Sequence, residues 1–224
     1  MTIGLLQAIQ HVDSAFPSGG FAFSQGLESL ASTPERPRAA DIASFIRAQL
    51  ALRWKTADRV ALVHAHRAAA DLQAVAAVDH DVEASTMAEL LRAGSRRNGL
   101  ALLTAHVRLG TPRAAEYQAM VHGGAALGHL AVVQGVLWQG IGIAEHTAVA
   151  MSGYGLANSM ATAAIRLGLV GTIEAQRWVT SLLPVIAEAV EDVVANDEPM
   201  CSYAPFAEIA VMRHERQPTR LFFN

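Results

Sequence analysis

The run Ala148-Val149-Ala150-Met151-Ser152-Gly153-Tyr154-Gly155-Leu156-Ala157-Asn158-Ser159-Met160-Ala161-Thr162-Ala163-Ala164-Ile165 contains no charged residue. Its length approaches that of a membrane-spanning helix, so two folds compete for it. Ser152, Tyr154, Asn158, Ser159 and Thr162 interrupt it, and its bulk is Ala and Gly rather than Leu and Ile. An all-round apolar helix of that make-up belongs inside a helical bundle. There Gly153, Gly155, Ala157 and Ala161 would let neighbouring helices approach closely. A membrane-associated protein built around this segment is the competing reading.

Moving outward, His129 to Ile143 is strongly apolar and reads as a second buried helix. A turn near Gly168 to Gly171 precedes a helix from about Thr172 to Ala195, which Pro184 should kink or divide. Asn196-Asp197-Glu198-Pro199 makes a loop before a short helix around Pro205 to His214. Towards the N-terminus, Leu109-Gly110-Thr111-Pro112 stops one helix and starts another, with Thr111 as cap and Pro112 in the first helical position. His122-Gly123-Gly124 ends that helix. Met87 to His106 carries Leu90, Leu91, Leu100 and Leu103, with a soft break expected near Gly94 or Gly99. Leu72 to Ala84 resists segmentation. One amphipathic helix runs from Asp41 to Trp54, and a second from Thr56 or Asp58 to about Ala70. Thr33 to Arg38 is a linker stopped by two prolines. Phe21 to Ala31 is a short helix, and so is Ile3 to Ile9, with Thr2 as cap. No strand alternation and no hairpin dipeptide appears. The expectation is an all-α chain, a single-domain helical bundle of roughly ten helices spanning residues 1–224.

Composition narrows the function. A net charge of −3 and a pI near 6.3 disfavour nucleic-acid binding. Lys55 is the only lysine, and no Gly-x-x-x-x-Gly-Lys loop precedes it, so the chain lacks a nucleotide-binding loop of its own. Cys201 is the only cysteine, which removes intrachain disulfides and cysteine metal clusters. The first basic side chain other than histidine is Arg36, so no secretory leader is expected and the cytoplasm is the simplest address.

No catalytic set declares itself. His64 and His66 would point some 200° apart on a helix. There is no His-Glu-x-x-His, and Asp79-His80-Asp81 reads as a helix-end cluster. No Gly-x-Ser-x-Gly elbow surrounds Ser14, Ser18 or Ser24. Neither cofactor nor metal is expected. A small metal-dependent hydrolase drawing on His64, His106, His122, His129 and His146 stands as the alternative.

Two segments stand apart from the helical filler. In Asp13-Ser14-Ala15-Phe16-Pro17-Ser18-Gly19-Gly20-Phe21 and Ser24-Gln25-Gly26-Leu27-Glu28, a Pro and a Gly pair force a turn between aromatic residues. Asp13 and Ser14 suit turn or cap roles. At the other end, Met212-Arg213-His214-Glu215 and Thr219-Arg220-Leu221-Phe222 form an apolar, arginine-bearing tail. Buried aromatics and arginines dominate interface energetics, so both segments suit an interaction protein.

These two segments resemble the N- and C-terminal signatures of the urease accessory protein UreF family. Ala163-Ala164-Ile165-Arg166-Leu167-Gly168 through Gly171, with Gln176-Arg177, fits the family's late central helices more loosely. The resemblance implies a helical, dimeric, non-catalytic protein of nickel delivery. It implies binding to a UreD (UreH) partner and, with it, recruitment of the GTPase UreG to apo-urease. By position, the implied partner-binding residues are Phe16, Ser18, Gly19, Gly20 and Phe21 on the GTPase side. Arg216, Arg220, Leu221 and Phe222 belong to a tail at about 214–224 that meets the UreD-like partner. Position 218, commonly aromatic in the family, is Pro218 here.

Overall fold

The computed structural model describes residues 2–17, 25–32 and 37–214. Within them the chain is all-α and contains no strand. The α-helices are α1 (Thr2–Val12), α2 (Leu27–Ala31), α3 (Ala39–Gln49), α4 (Arg59–Arg67), α5 (Leu72–Ser85) and α6 (Glu89–Arg108). They continue as α7 (Ala114–His122), α8 (Leu130–Gly140), α9 (Glu145–Arg166), α10 (Thr172–Glu191) and α11 (Pro205–His214).

The core forms where α4 lies on α8 and α9 on α10, with α6 packed along α8. Leu62, Val132, Val133, Val136, Leu137, Ala148 and Met160 are buried in it. The α4–α8 approach is close because Gly135 has no side chain. A Cβ there would lie 2.5 Å from the Leu62 carbonyl oxygen. The uncharged run that decides the fold is the middle of α9, with Ala157 and Ala161 both buried. Gly153, expected to admit a neighbouring helix, makes room for the Trp54 ring and the Ile186 side chain, whereas Gly155 has no neighbouring atom within 4 Å of where its Cβ would be. Among the described residues no helix is long and apolar enough to cross a membrane.

Several boundaries differ from the sequence reading. No break separates Trp54 from Thr56. Leu50–Asp58 is a nine-residue π-helical segment joining α3 to α4. A π-helix displaces the regular bonding pattern, and here a passing chain uses two of its carbonyls. Cys201 N–H donates to Thr56 O (2.9 Å) and Tyr203 N–H to Leu52 O (3.1 Å). Leu72–Ser85 is a regular helix, started by Asp71, whose side chain accepts from the Gln73 and Ala74 amides. Helix α6 runs through Gly94 and Gly99 unbroken.

Thr111 is not the cap of α7. That helix begins at Ala114, behind Arg113 in a left-handed conformation, and the Thr111 hydroxyl pairs with His106 instead. Helix α10 passes through Pro184 undivided and ends at Glu191. Its C-terminus is held by Arg59, buried beneath it. Arg59 Nη1 donates to the carbonyls of Ala189 (2.8 Å) and Asp192 (2.6 Å). A cation there suits both the unpaired carbonyls and the helix dipole.

Candidate functional site

The first candidate surface grows from the end of α1. Past Val12, the Asp13 carboxylate accepts the Ala15 amide (2.7 Å) and its carbonyl accepts the Phe16 amide (3.0 Å). This side-chain-mediated turn bends the chain back and sets Phe16 against two imidazoles. Its ring centroid is 4.5 Å from that of His11 and 5.6 Å from that of His106, which are themselves 5.0 Å apart. Burial, and the neighbouring His11, push His106 down from 6.5 to about 4. It therefore stays neutral at physiological pH. Phe16 also lines a shallow groove with Ile9, Ala15, Pro17, Ala105 and Leu109. Beside that groove Ile3, Leu5, Leu6 and Ile9 face outward from α1, with Ile3 73% exposed. A contiguous outward apolar face of this kind marks an interaction site more often than an idle surface.

The second surface is α11. Ala207, Ala210 and Val211 turn inward and are buried, while Phe206 (81% exposed), Ile209 and Met212 share the outer face at three-residue spacing. Helix α11 packs against α2, through Gly26, and against the start of α6, where Val211 meets Ala88 and Leu91. With φ at +90°, Gly26 takes a left-handed conformation that suits glycine. A Cβ there would come within 3.2 Å of the Ala210 Cβ. The two segments that stand apart in the sequence are therefore continuous with elements that touch one another. Of the sequence-predicted residues, Phe16 is placed as described. Ser18, Gly19, Gly20, Phe21, Arg216, Arg220, Leu221 and Phe222 lie outside the described residues.

A third feature went unread in the sequence. Asp79 is not part of a helix-end cluster; it sits within α5 and is fully buried. Its Oδ2 accepts from the Tyr117 hydroxyl (2.9 Å) and from the amides of Leu127 and Gly128 (2.6 Å each). Its Oδ1 accepts from the His129 amide (2.9 Å). One carboxylate thus gathers the donors that lead into α8. Burial and the Asp79 charge push the Tyr117 phenol up, so it remains a donor. Next to it, His129 Nε2 pairs with Glu83 Oε2 at 2.8 Å, and Glu83 also receives Arg96. Burial alone would raise Glu83, but the hydrogen bonds from Arg96 and His129 outweigh it and hold the carboxyl below its ordinary range.

The histidines of the hydrolase reading are dispersed. His64 meets the Ala195 carbonyl, His106 the Thr111 hydroxyl and His129 the Glu83 carboxylate, while His122 and His146 are exposed. Among the described residues no group of three or more His, Cys, Asp or Glu could hold a metal ion.

Comparison with known proteins bears on the whole chain. The UreF family model matches residues 38–183. The urease accessory protein UreF of Trichodesmium erythraeum is 33% identical, over 98% of this chain and 96% of its own length. UreF of Kocuria rhizophila is 31% identical over 99% and 97%, and UreF 1 of Brucella melitensis 30% over 99% and 93%. With the match reaching both ends of the helical core and both candidate surfaces, the chain belongs to the UreF family of urease accessory proteins.

Proposed function

We propose that this chain is a non-catalytic, cytoplasmic scaffold of urease maturation. Acting as one domain and as a homodimer, it binds a UreD/UreH-type partner and, with it, recruits a UreG-type GTPase to apo-urease, so that nickel is inserted into the enzyme. The observation that carries this reading is the near-full-length likeness to proteins named urease accessory protein UreF. The two outward apolar faces support it, since a protein that works by docking needs apolar surface left uncovered. The Phe16 groove and the sequence from Phe16 to Gly26 go with the GTPase side. The outer face of α11 leads into the 214–224 tail and goes with the UreD-type partner.

Light scattering after gel filtration tests the proposal, with the protein alone and mixed with the matching UreD-like and UreG-like proteins. A dimer alone and a larger complex co-eluting with both partners are expected. Phe21→Ala, Arg220→Ala and Phe206→Asp should each keep the helical circular dichroism yet weaken assembly, by about 2 kcal/mol where the residue is a hot spot. Full complex formation by all three variants would remove these surfaces from the interface. Absence of any complex with folded protein would overturn the scaffold reading itself.

A further inference from the structure

His106 is fully buried on α6, and one side of its ring is closed by the end of α1 and the turn that follows. The His11 ring lies 5.0 Å from it and the Phe16 ring 5.6 Å, centroid to centroid. His11 in turn donates from Nδ1 to the Gln7 carbonyl (2.7 Å), one helical turn back. The Asp13 carboxylate fixes the bend that brings Phe16 in.

The pocket is built for a neutral ring. An imidazolium carries two N–H donors, and here one acceptor is in reach. Nδ1 pairs with Thr111 Oγ1 (2.9 Å), whereas Nε2 is buried without a hydrogen-bond partner. The titratable group facing the ring is His11, whose charge would repel a second one. Asp13 and Arg108 are the charged residues of the adjoining groove, and Thr111, from the turn between α6 and α7, is neutral. Burial and His11 hold His106 down at about 4. A proton taken up above that value therefore needs a state in which the ring meets water.

Such a state is within easy reach of this fold. Helix α1 has eleven residues, and only Ala8 among them is buried. A helix so short is marginal in water on its own. Ile3, Leu5, Leu6 and Ile9 add little to its attachment, since they face outward. Weakly packed elements open locally at a free energy well below that of global unfolding. Lifting α1 and its turn solvates His106 and leaves the α4–α8 and α9–α10 packing in place. We propose that α1 and the Phe16 turn form an acid-released flap: a proton on His106 selects a state in which residues 2–17 are lifted from α6 and α9 while the remaining helices stay folded. The flap carries one wall of the Phe16 groove, so acid dismantles that surface. This consequence for docking rests on the function proposed above; the flap itself does not, and it is tested on the protein alone.

Amide hydrogen exchange of the full chain at pH 7.5, 6 and 5 decides it, with rates referred to those of an unstructured chain at each pH. The amides of Leu6 to Val12 should be protected at pH 7.5, yet less than those of Val132 to Leu137. Between pH 7.5 and 5 their protection should fall about 25-fold, from the difference between about 4 in the closed state and 6.5 in the open one, with α8 still protected. In His106→Gln, whose side-chain amide can still meet Thr111, the fall should be under about threefold. If that variant fails to fold, Phe16→Ala gives a second readout. With the cover thinned, the NMR titration midpoint of His106 should rise from about 4 towards 6.5. Any of three results would overturn the proposal: α1 amides that are unprotected at pH 7.5 or exchange only together with α8, a pH dependence unchanged in His106→Gln, or a His106 midpoint unmoved in Phe16→Ala.

Discussion

Replacing Asp79 by Asn tests how the fold holds the start of α8. The substitution preserves shape and removes the charge and one acceptor oxygen. In the native protein four donors converge on the carboxylate: one phenol and three main-chain amides from residues 127–129. An Asn amide has one oxygen. If that oxygen takes the Oδ2 place it keeps Tyr117, Leu127 and Gly128, but its NH₂ then confronts the His129 amide, donor against donor. The retained bonds also lose their charge assistance. A hydrogen bond to a charged group contributes about 1.5–3 kcal/mol, and orphaning a buried donor costs about 1–3 kcal/mol. Against this stands the relief of no longer burying a carboxylate. The net expectation is a loss of about 3 kcal/mol, a large share of the 5–15 kcal/mol that roughly describes a folded domain. Urea denaturation with an unchanged slope measures it. Hydrogen exchange should find the amides of Leu127, Gly128 and His129 deprotected ahead of the core of α4. A loss below about 1 kcal/mol, with those three amides still protected, would refute the view that Asp79 anchors this junction.

Gly99, at the same junction, and His106, at the Phe16 cluster, carry two further predictions. Gly99→Ala puts a Cβ 2.0 Å from the Gly128 carbonyl oxygen, so α6 must move away from the start of α8. Overpacking against backbone should cost about 2–3 kcal/mol, read as a lower thermal midpoint despite the better helix propensity of alanine. The second is a pH dependence. Because His106 is held near 4 when folded and titrates near 6.5 when unfolded, the unfolded chain binds the extra proton between those values. Stability should therefore fall as pH drops from about 6.5 towards 4. From pH 7.5 to 5 the His106 contribution amounts to about 2 kcal/mol. His129, lowered chiefly by burial, adds in the same direction. His106→Gln, less stable at pH 7.5, should show a shallower decline over that range in urea titrations at several pH values. An identical decline in both proteins would place the proton elsewhere.

What the sequence carried was local periodicity, and it led to the helices. Where it misled, a non-local contact had decided the structure. The polar switch at Lys55 and Thr56 looks like a gap between two helices. In the fold it is a change of helical register, because a π-helical turn shifts which side chains face the core and so interrupts the periodic pattern just as a break does. The carbonyls freed there are taken by residues 201 and 203, more than 140 positions away. Gly99 reads as a helix breaker, yet its small size is needed for the backbone beside it. Thr111 suits a cap, but the ring of His106 took its hydroxyl. Asp79 offers no signal at all, since its donors arrive from residues 117 and 127–129.

The same logic explains why the outward apolar faces were only half legible. By size, Phe206, Ile209 and Met212 should be the core stripe of α11, and Ala207, Ala210 and Val211 its margin. The helix is turned the other way. Its small side chains fit against the bare backbone of Gly26, where nothing larger would, and the bulky ones are left facing outward. Phe206, largely exposed, forgoes burial that is worth about 1.5–3 kcal/mol for a large side chain, and the half-buried Ile209 and Met212 forgo part of it. An orientation that leaves Phe206 uncovered, and Ile209 and Met212 half-covered, on one helix is not explained by the stability of this chain alone. It is accounted for if the burial is completed by a partner, and that makes α11, rather than the tail by itself, the element whose outer face should be mutated first.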